Sequence, residues 1–304
     1  MRLIKQKKLH VGPLAQGCKQ CKIGRKSVLF VTGFCHYQCF YCPISDDKRN
    51  QDIVKINEHI IKEPDSDAAV DEIIKEVKLC KSTGVGVTGG DPLAKPDRTF
   101  VYIKALKKEF GKNFHVHLYT SPQFVTKEKL LHLDSIGLDE IRFHLYVESD
   151  KFWDRVFLGK DLHMTCGVEI PMVPGRMEGT KKILQFCKDS GVISFVNLNE
   201  LEFSDISEDV FAQRGFVVKD SLSYGIANSE EMAKDLIKYG RRIGLPVHYC
   251  SAGFKDRVQL GNRFLLRSSS VAKKFDKMDK EGMLTRGVIE VKQGNVSLDS
   301  IAAD

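Results

Sequence analysis

Ser27-Val28-Leu29-Phe30-Val31-Thr32-Gly33 leads, one residue later, into Cys35-His36-Tyr37-Gln38-Cys39-Phe40-Tyr41-Cys42. The first segment is a short apolar run of strand character. The second packs three cysteines into eight residues with the spacing C-x3-C-x2-C. Together they place thiols at the carboxyl end of a strand, where parallel α/β folds carry their active sites. Three thiolates on a tight loop can grip three irons of an iron–sulfur cluster, leaving a fourth without a protein ligand. An open position of that kind marks a catalytic metal site, by analogy with zinc enzymes. A zinc knuckle or a disulfide loop also gathers cysteines, but zinc motifs come as paired C-x2-4-C or Cys/His units.

About fifty residues on, Val85-Gly86-Val87-Thr88-Gly89-Gly90-Asp91-Pro92-Leu93 reads as a second short strand with a tight turn at its end. The glycines let backbone approach a ligand and the proline stops further pairing. By itself Gly-Gly-Asp-Pro is a turn signal. It follows the cysteine loop at the distance of one intervening helix.

The cysteine spacing, with an aromatic residue before the last Cys, resembles the signature of the radical S-adenosylmethionine (radical SAM) superfamily. Gly89-Gly90-Asp91-Pro92 resembles that family's GGEP stretch, with Asp for Glu. The resemblance implies that Cys35, Cys39 and Cys42 hold a [4Fe-4S] cluster. It further implies that the open iron chelates the amino and carboxylate groups of SAM, and that an electron from a donor such as ferredoxin or flavodoxin cleaves the sulfonium to a 5′-deoxyadenosyl radical. SAM contacts are implied at Tyr41, Thr88, Gly89, Gly90, Asp91 and Thr120.

The chain has 304 residues, enough for one large α/β domain with additions. No stretch approaches the ~20 apolar residues of a membrane span, and the basic start Met1-Arg2-Leu3-Ile4-Lys5-Gln6-Lys7-Lys8 lacks the apolar region of a signal peptide. A cytoplasmic location without a membrane partner is expected. In that compartment the nine cysteines should be reduced, which favours metal ligation over disulfides for clustered ones.

Further strands are expected at Phe114 to Thr120, Asp139 to Tyr146, Gly167 to Val173 and Ile193 to Leu201, with amphipathic segments such as Ala68 to Leu79 between strands. The alternation predicts an α/β fold with a parallel sheet. Six such units make a partial (β/α)6 TIM-like barrel, the fold the resemblance also implies. The expected organisation is an N-terminal CxxC segment at 1–27, the barrel at 28–250 and a basic helical extension at 251–304.

Alternation sets His115, His117 and Tyr119 on one face, and Arg142 and His144 on one face. An inward Arg142 would pair with the SAM carboxylate or form a structural ion pair. Asn197 and Asn199 share a face; pointing into an otherwise apolar barrel they need partners, which substrate, the SAM ribose, water or a backbone cap would supply. The resemblance implies that the Gly167 to Val173 strand packs on adenine.

Gly17-Cys18-Lys19-Gln20-Cys21 carries a second chelating spacing, which needs further ligands to close a site. Cys250 follows the strand-like Leu245 to Tyr249 and is the candidate third ligand, for a second iron–sulfur cluster; with His248 or His10 the set would suit zinc. Cys80, Cys166 and Cys187 fit buried free thiols. The stretches Gly17 to Ser45 and His248 to Leu260 resemble an archaeal radical SAM group related to pyruvate formate-lyase activating enzymes. Arg257, Arg263, Arg267, Lys273 and Lys274, with a net charge of +7, point to RNA or another anionic partner, or to a solvated helix face. A last edge strand is expected at Val288-Ile289-Glu290-Val291. Three readings of function follow: a radical SAM enzyme, with RNA modification as one outcome; the activating enzyme of a glycyl radical protein; and a non-catalytic iron–sulfur or zinc protein that binds RNA.

Overall fold

The computed structural model describes residues 9–37, 39–204, 208–220 and 223–288. Its main sheet has ten strands in the order β1-β12-β9-β8-β7-β6-β5-β2-β3-β4. These are β1 (His10–Val11), β2 (Lys26–Phe30), β3 (Val54–Ile56), β4 (His59–Ile61), β5 (Gly84–Thr88), β6 (His115–Thr120), β7 (Glu140–Phe143), β8 (Thr165–Met172), β9 (Ile193–Glu200) and β12 (Val247–Cys250). The run from β2 through β5, β6, β7, β8 and β9 to β12 is parallel throughout. The six expected units are present in a partial barrel, and β12 adds a seventh parallel strand. Antiparallel pairs finish the edges, β1 on β12 at one end and the β3–β4 hairpin on β2 at the other, while β10 (Val218–Asp220) and β11 (Ser223–Ile226) form a separate antiparallel pair.

Helices alternate with the strands: α1 (Gln16–Lys22), α2 (Asp67–Leu79), α3 (Pro96–Phe110), α4 (Lys127–Ser135), α5 (Met177–Ser190), α6 (Glu208–Gln213) and α7 (Ser229–Ile243). Local chemistry sets their ends. The Ser66 hydroxyl accepts from the Ala69 N–H at the start of α2, and Thr126 does the same for Lys129 before α4. Gly191 and Gly244 close α5 and α7 in the left-handed region, where a Cβ would be strained. Ala69, Ile73 and Val77 give α2 a buried stripe that packs into the main core.

Strand alternation sorts the two faces of the sheet. Val85, Val87, Val116, Leu118, Ile141, Phe143, Val168, Val196 and Leu198 join one apolar core with the helices. The opposite face carries Lys26, His117, Tyr119, Arg142, Glu169, Asn197 and Asn199, joined to one another by hydrogen bonds and ion pairs. This corrects the expectation of an apolar interior: the lumen is lined by buried charge.

One end of the lumen is closed by α1. Gln20 donates through Nε2 to the Thr83 carbonyl beside the start of β5 (2.9 Å), and a Cβ on Gly17 would run into Arg142 and His117. After β12 come α8 (Ala252–Phe254), a π-helical stretch Lys255–Leu260 and α9 (Gly261–Val271). These pack on α1 and α2. Of the expected basic face, Arg257, Lys273 and Lys274 are exposed, whereas Arg263 pairs with Glu58 (2.5 Å) and Arg267 with Glu76 (2.9 Å), which removes these two from the set expected to meet phosphates. Ile289-Glu290-Val291 of the expected edge strand lies outside the described residues. Among the described residues no helix is long and apolar enough to cross a membrane.

Candidate active site

The cysteine loop leaves the end of β2 and is fastened on both sides. Thr32 donates through Oγ1 to Asp52 (3.1 Å), while the Gly33 N–H donates to the Gln51 carbonyl (2.8 Å) and the Asn50 N–H returns to Gly33 (3.0 Å). Behind Asp52 stands Arg98 of α3. Its guanidinium holds Asp52 (2.7 Å) and Asp65 (2.7 Å) and donates to the Val31 carbonyl (3.2 Å). That contact, with burial acting against it, keeps the Asp52 carboxyl at about 2. Arg98 thus pins the loop's first strand to the helix behind it, a role that nothing in its sequence neighbourhood signals.

Gly89-Gly90-Asp91 meets this loop directly. The Gly90 N–H donates to the Thr32 carbonyl (2.7 Å) and the Asp91 N–H to the Phe34 carbonyl (2.8 Å). A Cβ on Gly90 would overlap the Gly33 and Phe34 carbonyl oxygens, so only glycine lets the two segments lie this close. The Asp91 carboxylate turns the other way. It accepts from the Leu93 N–H (2.9 Å), the Thr120 hydroxyl (2.8 Å) and the Ser121 N–H (2.7 Å). Burial raises this carboxyl to about 7, with the Ser121, Thr120 and Leu93 donors pulling the other way. The side chains of Asp91 and Thr120, both expected to contact SAM, are engaged with each other, and the Thr88 carbonyl and the Gly90 N–H are taken by Val31 and Thr32. Replacing Asp91 with Asn puts an NH2 against one of these donors and is expected to destabilise the fold by about 1–3 kcal/mol, read by equilibrium denaturation.

Cys35, Cys39 and Cys42 are half-buried on the loop, and the Cys42 N–H donates to the Cys39 carbonyl (3.1 Å). Burial pushes the Cys39 thiol up to about 12 and raises Cys35 as well. Metal uptake there would release protons, since the ligand is the thiolate. Tyr41 lies between Cys39 and the barrel. Its ring packs with Val173, Leu201, Phe211 and Ile226 in a small second core, and its hydroxyl lies 3.1 Å from His144 Nε2. His144 Nδ1 is 3.3 Å from the Glu169 carbonyl, which can only accept, so Nδ1 carries the proton and Tyr41 donates to Nε2. Burial holds the His144 pKa below the usual imidazole range, consistent with that neutral tautomer. A narrow cleft beside Tyr41 is lined by Leu145, Ile170, Val173 and Arg176, at the ends of β7 and β8.

Deeper in the lumen, Arg142 is at ion-pair distance from Glu140 (2.5 Å) and Glu169 (2.6 Å), the structural alternative to a ligand carboxylate. Asn197 and Asn199 both donate to Glu169 (2.9 Å each), so protein supplies the partner that their inward position demands. Cys18 and Cys21 are buried on α1, and Cys250 ends β12. Among the described residues no three His, Cys, Asp or Glu side chains converge on a single metal ion.

The sequence profile of the radical SAM superfamily matches residues 29–199. A protein of Methanocaldococcus jannaschii named "putative glycyl-radical enzyme activating enzyme" is 41% identical over 285 residues, covering 91% of this chain and 73% of its own length. Among solved structures, coproporphyrinogen III oxidase from Escherichia coli, a radical SAM enzyme, matches with 12% identity and a TM-score of 0.45, over 76% of this chain and 57% of that one. A radical SAM methyltransferase from Kitasatospora setae, solved with tryptophan and a SAM analogue, matches with 11% identity and a TM-score of 0.44, over 71% of this chain and 44% of that one. This chain therefore spans less than two thirds of the length of either solved structure.

Proposed function

The chain belongs to the radical SAM superfamily and is an enzyme of iron–sulfur and SAM-dependent chemistry; from that premise we propose that Cys35, Cys39 and Cys42 hold its catalytic [4Fe-4S] cluster and that the Gly89-Gly90 backbone receives SAM beside it. The single observation that carries this reading is the pair of backbone hydrogen bonds from Gly90 and Asp91 to the cysteine loop. They bring a three-thiol donor set and a glycine cradle, fifty residues apart in sequence, to one mouth of the barrel. The donor chemistry suits the cluster: three thiols and one position left open. When bound, the cluster supplies the electron that reduces the SAM sulfonium and releases a 5′-deoxyadenosyl radical.

The residues around it have separate tasks. Arg98, through Asp52 and Val31, fixes the loop against α3. Asp91 and Thr120 hold the glycine turn from behind. We assign the adenosyl group to the carboxyl end of β8, near Tyr41 and Val173.

Activation of a glycyl radical protein gains from the name of the 41% identical relative and makes the substrate a polypeptide. RNA modification loses two of its supports, because Arg263 and Arg267 are paired with Glu58 and Glu76. The same reading leaves Cys18, Cys21 and Cys250 as donors for a second metal centre, iron–sulfur or zinc. A one-electron donor such as a ferredoxin or flavodoxin would complete the system.

The test is anaerobic. The protein is reconstituted with iron and sulfide, reduced with dithionite and given SAM, and 5′-deoxyadenosine is measured by mass spectrometry with cell protein or cell RNA added. Product above the protein-free background is expected, with stimulation by the protein fraction. A full cluster with bound SAM and no product would overturn the reading; stimulation by RNA alone would return the substrate to nucleic acid.

A further inference from the structure

Among the buried cysteines, Cys18 differs from Cys80 and Cys166 in its hydrogen bonds. Cys166 lies among core side chains with its Sγ 4.0 Å from the Gly159 and Met164 carbonyls, and Cys80 donates to the Glu76 carboxylate (3.2 Å). Each behaves as an S–H donor to oxygen. Cys18 does the reverse: its sulfur faces Asn197 Nδ2 (3.2 Å) and Arg142 Nη2 (3.6 Å), both donors. A neutral thiol is a weak acceptor. Two N–H groups aimed at one buried sulfur are the contacts that the sulfur atoms of an iron–sulfur cluster receive.

The neighbouring thiol has the same kind of surroundings. Lys26 is buried, and its ammonium has the Tyr119 hydroxyl at 3.4 Å and the Cys21 thiol as partners, with no carboxylate in ion-pair distance among the described residues. A buried ammonium without a counter-charge is costly. Cys18 and Cys21 stand one helical turn apart on α1, at the closed end of the lumen. Cys250 enters from β12 in register with Asn199, which shares the Glu169 carboxylate with Asn197, and it lies within electrostatic reach of both other thiols. The helical stretch that follows Cys250 packs on α1.

We infer that Cys18, Cys21 and Cys250 are the ligands of a second iron–sulfur cluster at the inner end of the lumen, with Arg142, Asn197 and Lys26 as N–H donors to its sulfur atoms. An iron–sulfur cluster takes one cysteine per iron, whereas zinc takes all of its thiolates on one ion, so the sulfide content of the site tells the two apart.

The inference is independent of the assignment of Cys35, Cys39 and Cys42, and the test separates the two. The full chain is reconstituted anaerobically as wild type, as the triple variant C35A/C39A/C42A and as the triple variant C18A/C21A/C250A. Iron, zinc and acid-labile sulfide per chain are measured, together with the electron paramagnetic resonance spectrum after dithionite. The wild type is expected to hold roughly twice the iron and sulfide of either variant, and C35A/C39A/C42A to keep an iron–sulfur spectrum although it cleaves no SAM. Zinc without sulfide in C35A/C39A/C42A, or neither metal, overturns the second cluster. If C18A/C21A/C250A fails to fold, the iron content of C35A/C39A/C42A decides alone, because that variant leaves α1 and β12 intact.

Discussion

Alanine at Cys35, Cys39 and Cys42 together is expected to reduce 5′-deoxyadenosine formation to the protein-free background, while the melting temperature of the cluster-free protein moves by less than about 2 °C. The two halves of this prediction have separate causes. Each thiol is half-buried on a loop outside the sheet, and substitutions in such places change stability by about 0.5 kcal/mol or less. A domain of this size loses roughly 2–4 °C per kcal/mol. What anchors the loop is backbone and the Arg98–Asp52 pair, none of which the substitutions touch. On the proposed assignment, loss of the three thiols removes the cluster's ligands and with them the electron path. Residual SAM cleavage at a tenth of the wild-type rate would sink the assignment. A large fall in melting temperature would mean that the thiols serve the fold instead.

The parts of this site that sequence made legible are local ones. C-x3-C-x2-C and Gly89-Gly90 each carry their chemistry within a few residues, and strand alternation located every parallel strand, with Leu245 to Tyr249 marking the added one. What could not be read needs partners distant in the chain. Alternation grouped His115, His117 and Tyr119 on one face but held no sign that this face is a charged lumen, because the compensating Arg142 and Glu169 come from other strands. Arg263 and Arg267 look like a phosphate-binding face until Glu58 and Glu76, some two hundred positions earlier, are seen beside them. Asp91 is similar: its place in the motif suggests a ligand contact, and only the fold reveals that Thr120 and Ser121 take both carboxylate oxygens.

The lumen's charge makes a second large effect measurable. Arg142 has a side chain 2% exposed, with Glu140 and Glu169 as its ion-pair partners and the rings of Tyr119 and Phe195 within 5.5 Å. Arg142→Met keeps part of the stem and removes the charge, leaving two buried carboxylates with less compensation. Breaking a buried pair in this way costs about 3–5 kcal/mol. At roughly 2–4 °C per kcal/mol that is a fall in melting temperature on the order of 10 °C in cluster-free protein. The pH dependence gives the cause. Burial alone would raise the Glu169 carboxyl, but Arg142, then Asn197 and Asn199, bring it down to about 2. A depressed carboxyl stabilises the fold above its unfolded value of about 4.3 and loses that contribution as pH falls toward 2. In the variant, burial is opposed by less, so Glu169 and Glu140 take up protons at higher pH in the folded state and part of the penalty is relieved. The gap between wild type and variant should therefore be widest near pH 7 and narrow as the pH is lowered through the 4–5 range. Adding Glu140→Gln and Glu169→Gln to Arg142→Met should recover part of the loss at pH 7. A gap that stays constant with pH, with no recovery in the triple variant, would show that Arg142 stabilises the barrel through its packing on Tyr119 and Phe195 and not through its charge.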